Sequence, residues 1–149
     1  MLSKIKAPEI TSIKNNGWIN SEPLSLEKLK GKVVLLDFWA YSCVNCLRTL
    51  SALKEIWSKY KNKKFMLIGI HTPEFEFEKD IENVKNAVKK HKIEYPVAND
   101  PERINWNRYG NQDWPRAALI NSEGELIFEH VGESGYDEIE EKIIEELKK

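Results

Sequence analysis

Two thiols three positions apart, at the point where a continuous apolar run gives way to helical periodicity, constrain this chain more than any other feature. Val33-Val34-Leu35-Leu36 is unbroken apolar and rich in strand formers, the pattern of a strand buried on both faces. Asp37 interrupts the run, and Phe38 and Trp39 extend it. Past a short turn carrying Cys43-Val44-Asn45-Cys46, the residues Val44, Leu47, Leu50, Leu53, Ile56 or Trp57, and Tyr60 recur at helical spacing. Arg48, Lys54, Glu55 and Lys59 fall mostly off that stripe, as on a helix with one buried face. Phe65 to Ile70 is a second apolar strand, so the stretch predicts a βαβ unit with parallel strands.

The rest of the chain reads as additions to that unit. Phe77, Ile81, Val84, Val88 and His91 predict a second amphipathic helix, and Tyr95 to Ala98 a short strand. Asp100-Pro101-Glu102 reads as a capped helix start, with the helix ending near Gly110. Ala117 to Ile120 and Glu125 to Val131, joined through Asn121-Ser122-Glu123-Gly124, predict an antiparallel hairpin. Ser134 is the expected cap of a last helix with Tyr136, Ile139, Ile143 and Leu147 on its apolar face. The first 31 residues are weakly patterned, with a short edge strand expected at Gly17 to Asn20 and one helical turn at Pro23 to Leu29. The expectation is a single α/β domain over residues 1–149, residues 1–31 forming an N-terminal extension, with a central mixed sheet flanked by helices.

Composition narrows the function. Lys and Arg number 23 against 24 Asp and Glu, so no basic excess points to nucleic acid. No apolar run approaches the length of a membrane span, and Met1 to Lys6 lacks the apolar core of an export signal. The chain as written is expected in the cytoplasm; the alternative is an extracytoplasmic protein whose signal or anchor has been removed. A monomer is expected. Two cysteines at this spacing are too close to staple distant segments, so they do not make a disulfide framework.

Their position gives them a chemistry. A helix N-terminus presents unpaired N–H groups and partial positive charge, which favours a thiolate, and the thiolate is the attacking species. Cys43 is therefore the expected nucleophile, and Cys46, one turn along the same face, the thiol that resolves a mixed disulfide. Structural zinc usually takes four ligands, and no second cysteine pair or histidine cluster accompanies this one, so no metal is expected. Asp37 lies six residues before Cys43. A carboxyl within an apolar strand has its pKa raised, and beneath a dithiol it can take the proton of the resolving thiol. His71 and Glu74 follow the second strand at the same sheet edge as Cys43, where one of them could move protons or tune the thiol. Trp39 and Trp114 are expected to line the site, and Trp18, Trp57 and Trp106 to serve packing.

Asp37-Phe38-Trp39-Ala40, two residues, then Cys-x-x-Cys resembles the active-site stretch of the thioredoxin superfamily. Pro115, 69 residues after Cys46 and ahead of a strand, matches that family's cis-proline. Longer stretches are similar to the thioredoxin-like domain of DipZ proteins, akin to the TlpA and ResA disulfide reductases. They are Tyr41 to Leu50, His71 to Phe75, Tyr109-Gly110 leading to Trp114-Pro115, and Gly132 to Tyr136. The resemblance covers most of the chain from about Leu26 onward. It implies a thioredoxin-like fold with a helix and strand inserted after the second core strand, at about 74–98. It also implies Cys43 as nucleophile, Cys46 as resolving thiol, Asp37 as buried acid/base, and Pro115 as the residue whose neighbours pair with a substrate backbone. From the residues alone, Pro115 reads as an ordinary trans edge proline; the resemblance changes that expectation to cis.

The sequence departs from the family pattern in three places. Ser42 replaces a tryptophan, Val44-Asn45 replaces Gly-Pro, and Thr49 stands where some ResA-like proteins carry a glutamate. The expected function is a thiol–disulfide oxidoreductase that reduces or exchanges protein disulfides. Its only redox group would be the Cys43–Cys46 disulfide, without organic cofactor, and its partners a disulfide substrate and an upstream redox protein. One rival is a peroxiredoxin-like thiol peroxidase, disfavoured because no peroxidatic Pro-x-x-x-Thr-x-x-Cys pattern precedes Cys43. The other is a non-enzymatic metal carrier using the two thiols with His71 or His130.

Overall fold

The computed structural model describes residues 5–149, so Met1 to Lys4, part of the start read above for an export signal, lies outside the described residues. Six strands form one sheet: β1 (Trp18–Ile19), β2 (Val33–Trp39), β3 (Phe65–His71), β4 (Val97–Asn99), β5 (Arg116–Ile120) and β6 (Leu126–Val131). Their order is β1-β4-β3-β2-β5-β6. β2, β3 and β4 run parallel, while β1, β5 and β6 run antiparallel to their neighbours. Four helices cover the sheet: α1 (Val44–Tyr60), α2 (Ile81–Lys90), α3 (Ile104–Arg108) and α4 (Tyr136–Leu147). The mixed, helix-flanked sheet is the one expected from the sequence pattern.

All seven residues of β2 are buried, and successive side chains point to opposite faces. Val33, Leu35 and Trp39 join Cys46, Leu50 and Leu53 of α1, Val84 and Val88 of α2, and Ile139 and Ile143 of α4 in one apolar cluster. Val34, Leu36 and Phe38 face a second cluster made by Trp106 of α3 and by Ala7, Ile10, Trp18, Leu26 and Leu29 of the N-terminal extension. Asp37 shares the parity of Leu35 and Trp39, so its carboxyl points into the layer under α1.

Three helix starts differ from the sequence expectation, each for a local reason. Phe77 does not begin the second helix. Asp80 caps α2 by accepting from the Glu82 N–H at 2.9 Å, and residues 76–79 form a separate 3-10 turn. Asp100 caps α3 from further back, accepting from the N–H groups of Asn105 at 3.2 Å and Trp106 at 3.0 Å, so α3 begins at Ile104. At α4 the cap is Gly135 (φ +89°) rather than Ser134, since that left-handed backbone suits a residue without Cβ.

This topology collects one end of the sheet. β2, β3 and β4 all finish there, and β5 begins there, with Phe38 paired to Arg116. The turns after β2 and β3, the turn after β4 and the Trp114–Pro115 segment therefore meet. Close packing behind that end depends on Gly69, which pairs with Asp37 in the β2–β3 register. A Cβ there would lie 3.0 Å from Trp39 Nε1 and 3.2 Å from Tyr95 Cε1. Both rings are fully buried and have no room to swing. Gly69→Ala is expected to cost about 1–3 kcal/mol through overpacking, read as a lower urea midpoint at unchanged slope. An unshifted midpoint would contradict the tight fit.

Candidate active site

Cys43 is the N-cap of α1, in extended conformation (φ −82°, ψ 111°), and its Sγ accepts the Cys46 N–H at 3.2 Å. Its own N–H is held by the Ala40 carbonyl at 3.1 Å. Cys43 is half-buried and Cys46 fully buried, and both are free thiols. Burial pushes the Cys46 thiol well above its ordinary pKa, with the hydrogen bond to Cys43 and the Asp37 charge adding to the effect. Thr49, at the position of the missing glutamate, is buried and donates its hydroxyl to the Cys46 carbonyl at 2.7 Å.

Asp37 has no exposure, and neither carboxyl oxygen has a hydrogen-bond partner among the described residues. Desolvation lifts its pKa to about 7. The phenols of Tyr95 and Tyr136 lie close enough for the Asp37 charge to reinforce the rise that burial causes in each. The layer below Cys46 thus holds an acid whose proton is exchangeable near neutral pH.

The other expected site residues divide. Trp114 lies beside the thiol: a groove of about 500 Å³ is walled by Ser42 to Asn45, by Glu74 and Phe75, and by Gln112 to Trp114. The Trp114 indole donates to the Thr72 carbonyl at 2.9 Å and stacks on Trp106 at 3.9 Å. The Trp114–Pro115 peptide bond is cis. Pro115 itself is buried and its carbonyl accepts from the Gly132 N–H at 3.0 Å, so Trp114 forms the wall there.

Trp39 does not line the groove. As the last inward residue of β2 it is fully buried, packed edge-on against His71 at 5.0 Å. His71 is also fully buried; its Nε2 accepts the Tyr41 N–H at 3.1 Å and its ring stacks on Tyr41 at 5.4 Å. Burial lowers the His71 pKa to about 4, so the ring is neutral at pH 7 and anchors the turn ahead of Cys43. Glu74 faces the groove, its pKa raised by partial burial and then by the neighbouring Glu78 carboxylate. Among the described residues no cluster of three or more His, Cys, Asp or Glu is placed to hold a metal ion.

Two residues escaped the sequence reading. Glu78 is fully buried and accepts four hydrogen bonds, two of them from Ser42. Arg103 sits in left-handed backbone (φ +59°), donates to the carbonyls of Pro73 at 3.0 Å and Glu74 at 3.1 Å, and lies over the Trp114 ring at 5.5 Å. The segment Glu74 to Glu78 alternates acid and aromatic, and an aromatic is ordinarily assigned to the interior. The structure inverts this: Phe75 and Phe77 are 53% and 58% exposed, and Glu78 is inside. The late helix cap at Asp80 was the one available signal.

A half-buried thiol at a helix tip, a buried thiol one turn in and a raised carboxyl behind them define a dithiol site on a thioredoxin-type sheet. The thioredoxin-like family matches residues 31–126, and the chain belongs to that family. It is 38% identical over 144 residues to the DipZ protein of Mycobacterium tuberculosis, covering 95% of this chain and 20% of DipZ. It is 31% identical over 123 residues to the thiol-disulfide oxidoreductase ResA of Bacillus cereus, covering 83% and 68% of the two. The chain therefore spans about a fifth of the length of DipZ but two thirds of that of ResA. Among solved structures, a Chlorobium tepidum protein assigned as the thiol:disulfide interchange protein DsbE superposes with a TM-score of 0.83 at 25% identity, covering 99% of each chain. The family is thus of thiol–disulfide oxidoreductase type. No helix of the described residues is long and apolar enough to cross a membrane.

Proposed function

We propose that the protein reduces or exchanges disulfides in other proteins. The thiolate of Cys43 attacks a substrate disulfide, forming a mixed disulfide and releasing one substrate sulfur, which takes up a proton. Cys46 then gives its proton to Asp37 and attacks Cys43 Sγ. The second substrate sulfur leaves, and the Cys43–Cys46 disulfide remains. Two electrons pass from the dithiol to the substrate, and an upstream thiol partner restores them. The step requires no organic cofactor or metal.

The observation that carries this reading is the vertical order of the site. Cys43 is reachable from the groove, whereas Cys46 and Asp37 are enclosed behind it. An extended peptide fits the groove beside Trp114, because protein disulfides are reached through backbone on either side of the cysteine.

The test is reduction of a protein disulfide such as insulin by the pre-reduced protein, with Cys43→Ser as control. Native protein is expected to transfer two electrons per molecule, and Cys43→Ser none above the background of free dithiothreitol. A Cys43→Ser variant working at the native rate would overturn the assignment. The direction of flow follows from the reduction potential of the pair, since CxxC proteins span roughly −270 to −120 mV.

A further inference from the structure

Glu78 has no part in the exchange chemistry, yet it is fully buried directly behind the turn that presents Cys43. Its Oε2 accepts the Ser42 N–H at 3.1 Å and the Ser42 hydroxyl at 2.9 Å. Its Oε1 accepts the N–H groups of Glu74 at 3.0 Å and Phe75 at 3.1 Å. One side chain therefore joins two walls of the groove, the turn before Cys43 and the loop after β3. Three of its four partners are backbone N–H groups, which can only donate, and this donor set suits a carboxylate. Among the described residues no cation pairs with it; the groups facing it are Tyr41, neutral His71 and the Glu74 carboxylate.

A buried carboxylate without a cation is a costly way to tie two loops together, because an uncharged acceptor would avoid the desolvation. What it adds is a fixed negative charge one peptide unit from Cys43. We propose that Glu78 is a positioning residue of this site, fixing the Ser42 turn that aims Cys43 and biasing the dithiol toward its disulfide form. A negative charge there disfavours the thiolate form of the reduced pair and leaves the neutral disulfide unaffected. Ser42, in place of the family's tryptophan, supplies two of the four donors, so the departure noted in the sequence acquires a physical role.

The variants are Glu78→Gln and Ser42→Ala. Glutamine offers one oxygen and an NH₂ that only donates, so one donor pair is left facing another donor. Ser42→Ala removes the hydroxyl bond alone. The measurements are the equilibrium constant of the pair against glutathione, the rate of Cys43 alkylation by iodoacetamide, and the melting temperature. Glu78→Gln is expected to shift the equilibrium about tenfold toward the dithiol, equivalent to a potential about 30 mV less negative, and to change the alkylation rate. Ser42→Ala keeps the charge but loosens the turn that aims Cys43, and is expected to change the alkylation rate.

A loop tie without influence on the thiol would lower the melting temperature and leave the equilibrium constant of the folded protein in place. A folded Glu78→Gln with native equilibrium and alkylation rate overturns the proposal. Should that variant fail to fold, a native alkylation rate in Ser42→Ala overturns it. The proposal rests on the dithiol chemistry above, but none of these readouts needs a protein substrate. Failure to reduce insulin would defeat the proposed function alone, and an unmoved potential would defeat the role of Glu78 alone.

Discussion

Replacing Cys46 with alanine is expected to turn the protein from a catalyst into a trap. Cys43 keeps its place as the cap of α1, because the Cys46 N–H that its sulfur accepts is backbone and survives the substitution. The first attack therefore proceeds, and the mixed disulfide has no internal thiol to resolve it. A well-placed intramolecular group acts at an effective concentration that can reach about 10⁵ M or more, far above any thiol added at millimolar levels. Turnover should fall by at least about 1,000-fold by that comparison, while an adduct of substrate mass accumulates on Cys43. Mass spectrometry under non-reducing conditions checks this. Native turnover in Cys46→Ala, or an adduct in Cys43→Ser, would be incompatible with the order of attack.

Asp37→Asn should produce the largest change in how stability depends on pH. The native carboxyl keeps its proton up to about 7, whereas in the unfolded chain it loses it near 3.8. Between those values the folded state holds more protons, so Asp37 makes the protein less stable as pH rises, by roughly 4 kcal/mol in total. His71 acts in the opposite sense. It stays neutral in the fold down to about 4 but charges below 6.5 when unfolded, so its contribution grows with pH across that window, by roughly 3 kcal/mol. From about pH 4 to 6.5 the two slopes cancel.

Asp37→Asn removes one of them. The variant is expected to gain stability with rising pH at about 1.4 kcal/mol per pH unit relative to the native protein in that range. At pH 8 it should be more stable by about 2 kcal/mol, after the cost of a buried, unpartnered amide. Turnover should fall about 100-fold, as for loss of a general base, with the mixed disulfide as the species that builds up. Urea titrations at pH 4.5, 6 and 8 test the stability claim, and parallel curves for the two proteins would refute it.

The parts of the fold that were legible in sequence are those where burial and periodicity agree. Val33 to Trp39 and Val44 to Tyr60 have one solution each, because a run apolar but for Asp37 and a clean helical stripe leave little choice. Cys43, Cys46 and Asp37 were readable for the same reason: their exceptional character is defined against that regular background. Trp39 was misplaced because proximity in sequence to the thiols says nothing about which face of a strand a ring occupies; parity with Leu35 sends it to the core. Glu78 was missed because its value comes from four donors on two loops, and sequence shows neither. Pro115 reads as trans on its residues alone and as cis only through the resemblance; the two forms differ by only about 0.5–1 kcal/mol in an X–Pro bond. The structure has it cis.

The two margins of the sheet are blunted in different ways. On one side β1 is only two residues long. On the other, the backbone of the N-terminal extension pairs with the start of β6: the Ile5 carbonyl takes the Leu126 N–H at 2.8 Å and the Ala7 N–H reaches Gly124 at 2.9 Å. Short or covered borders give a neighbouring chain few free amides to template on. Under the proposed function, cysteine-bearing segments with unpaired strand backbone would meet this surface. With the extension seated at the start of β6, that end of the margin offers fewer free amides to such segments.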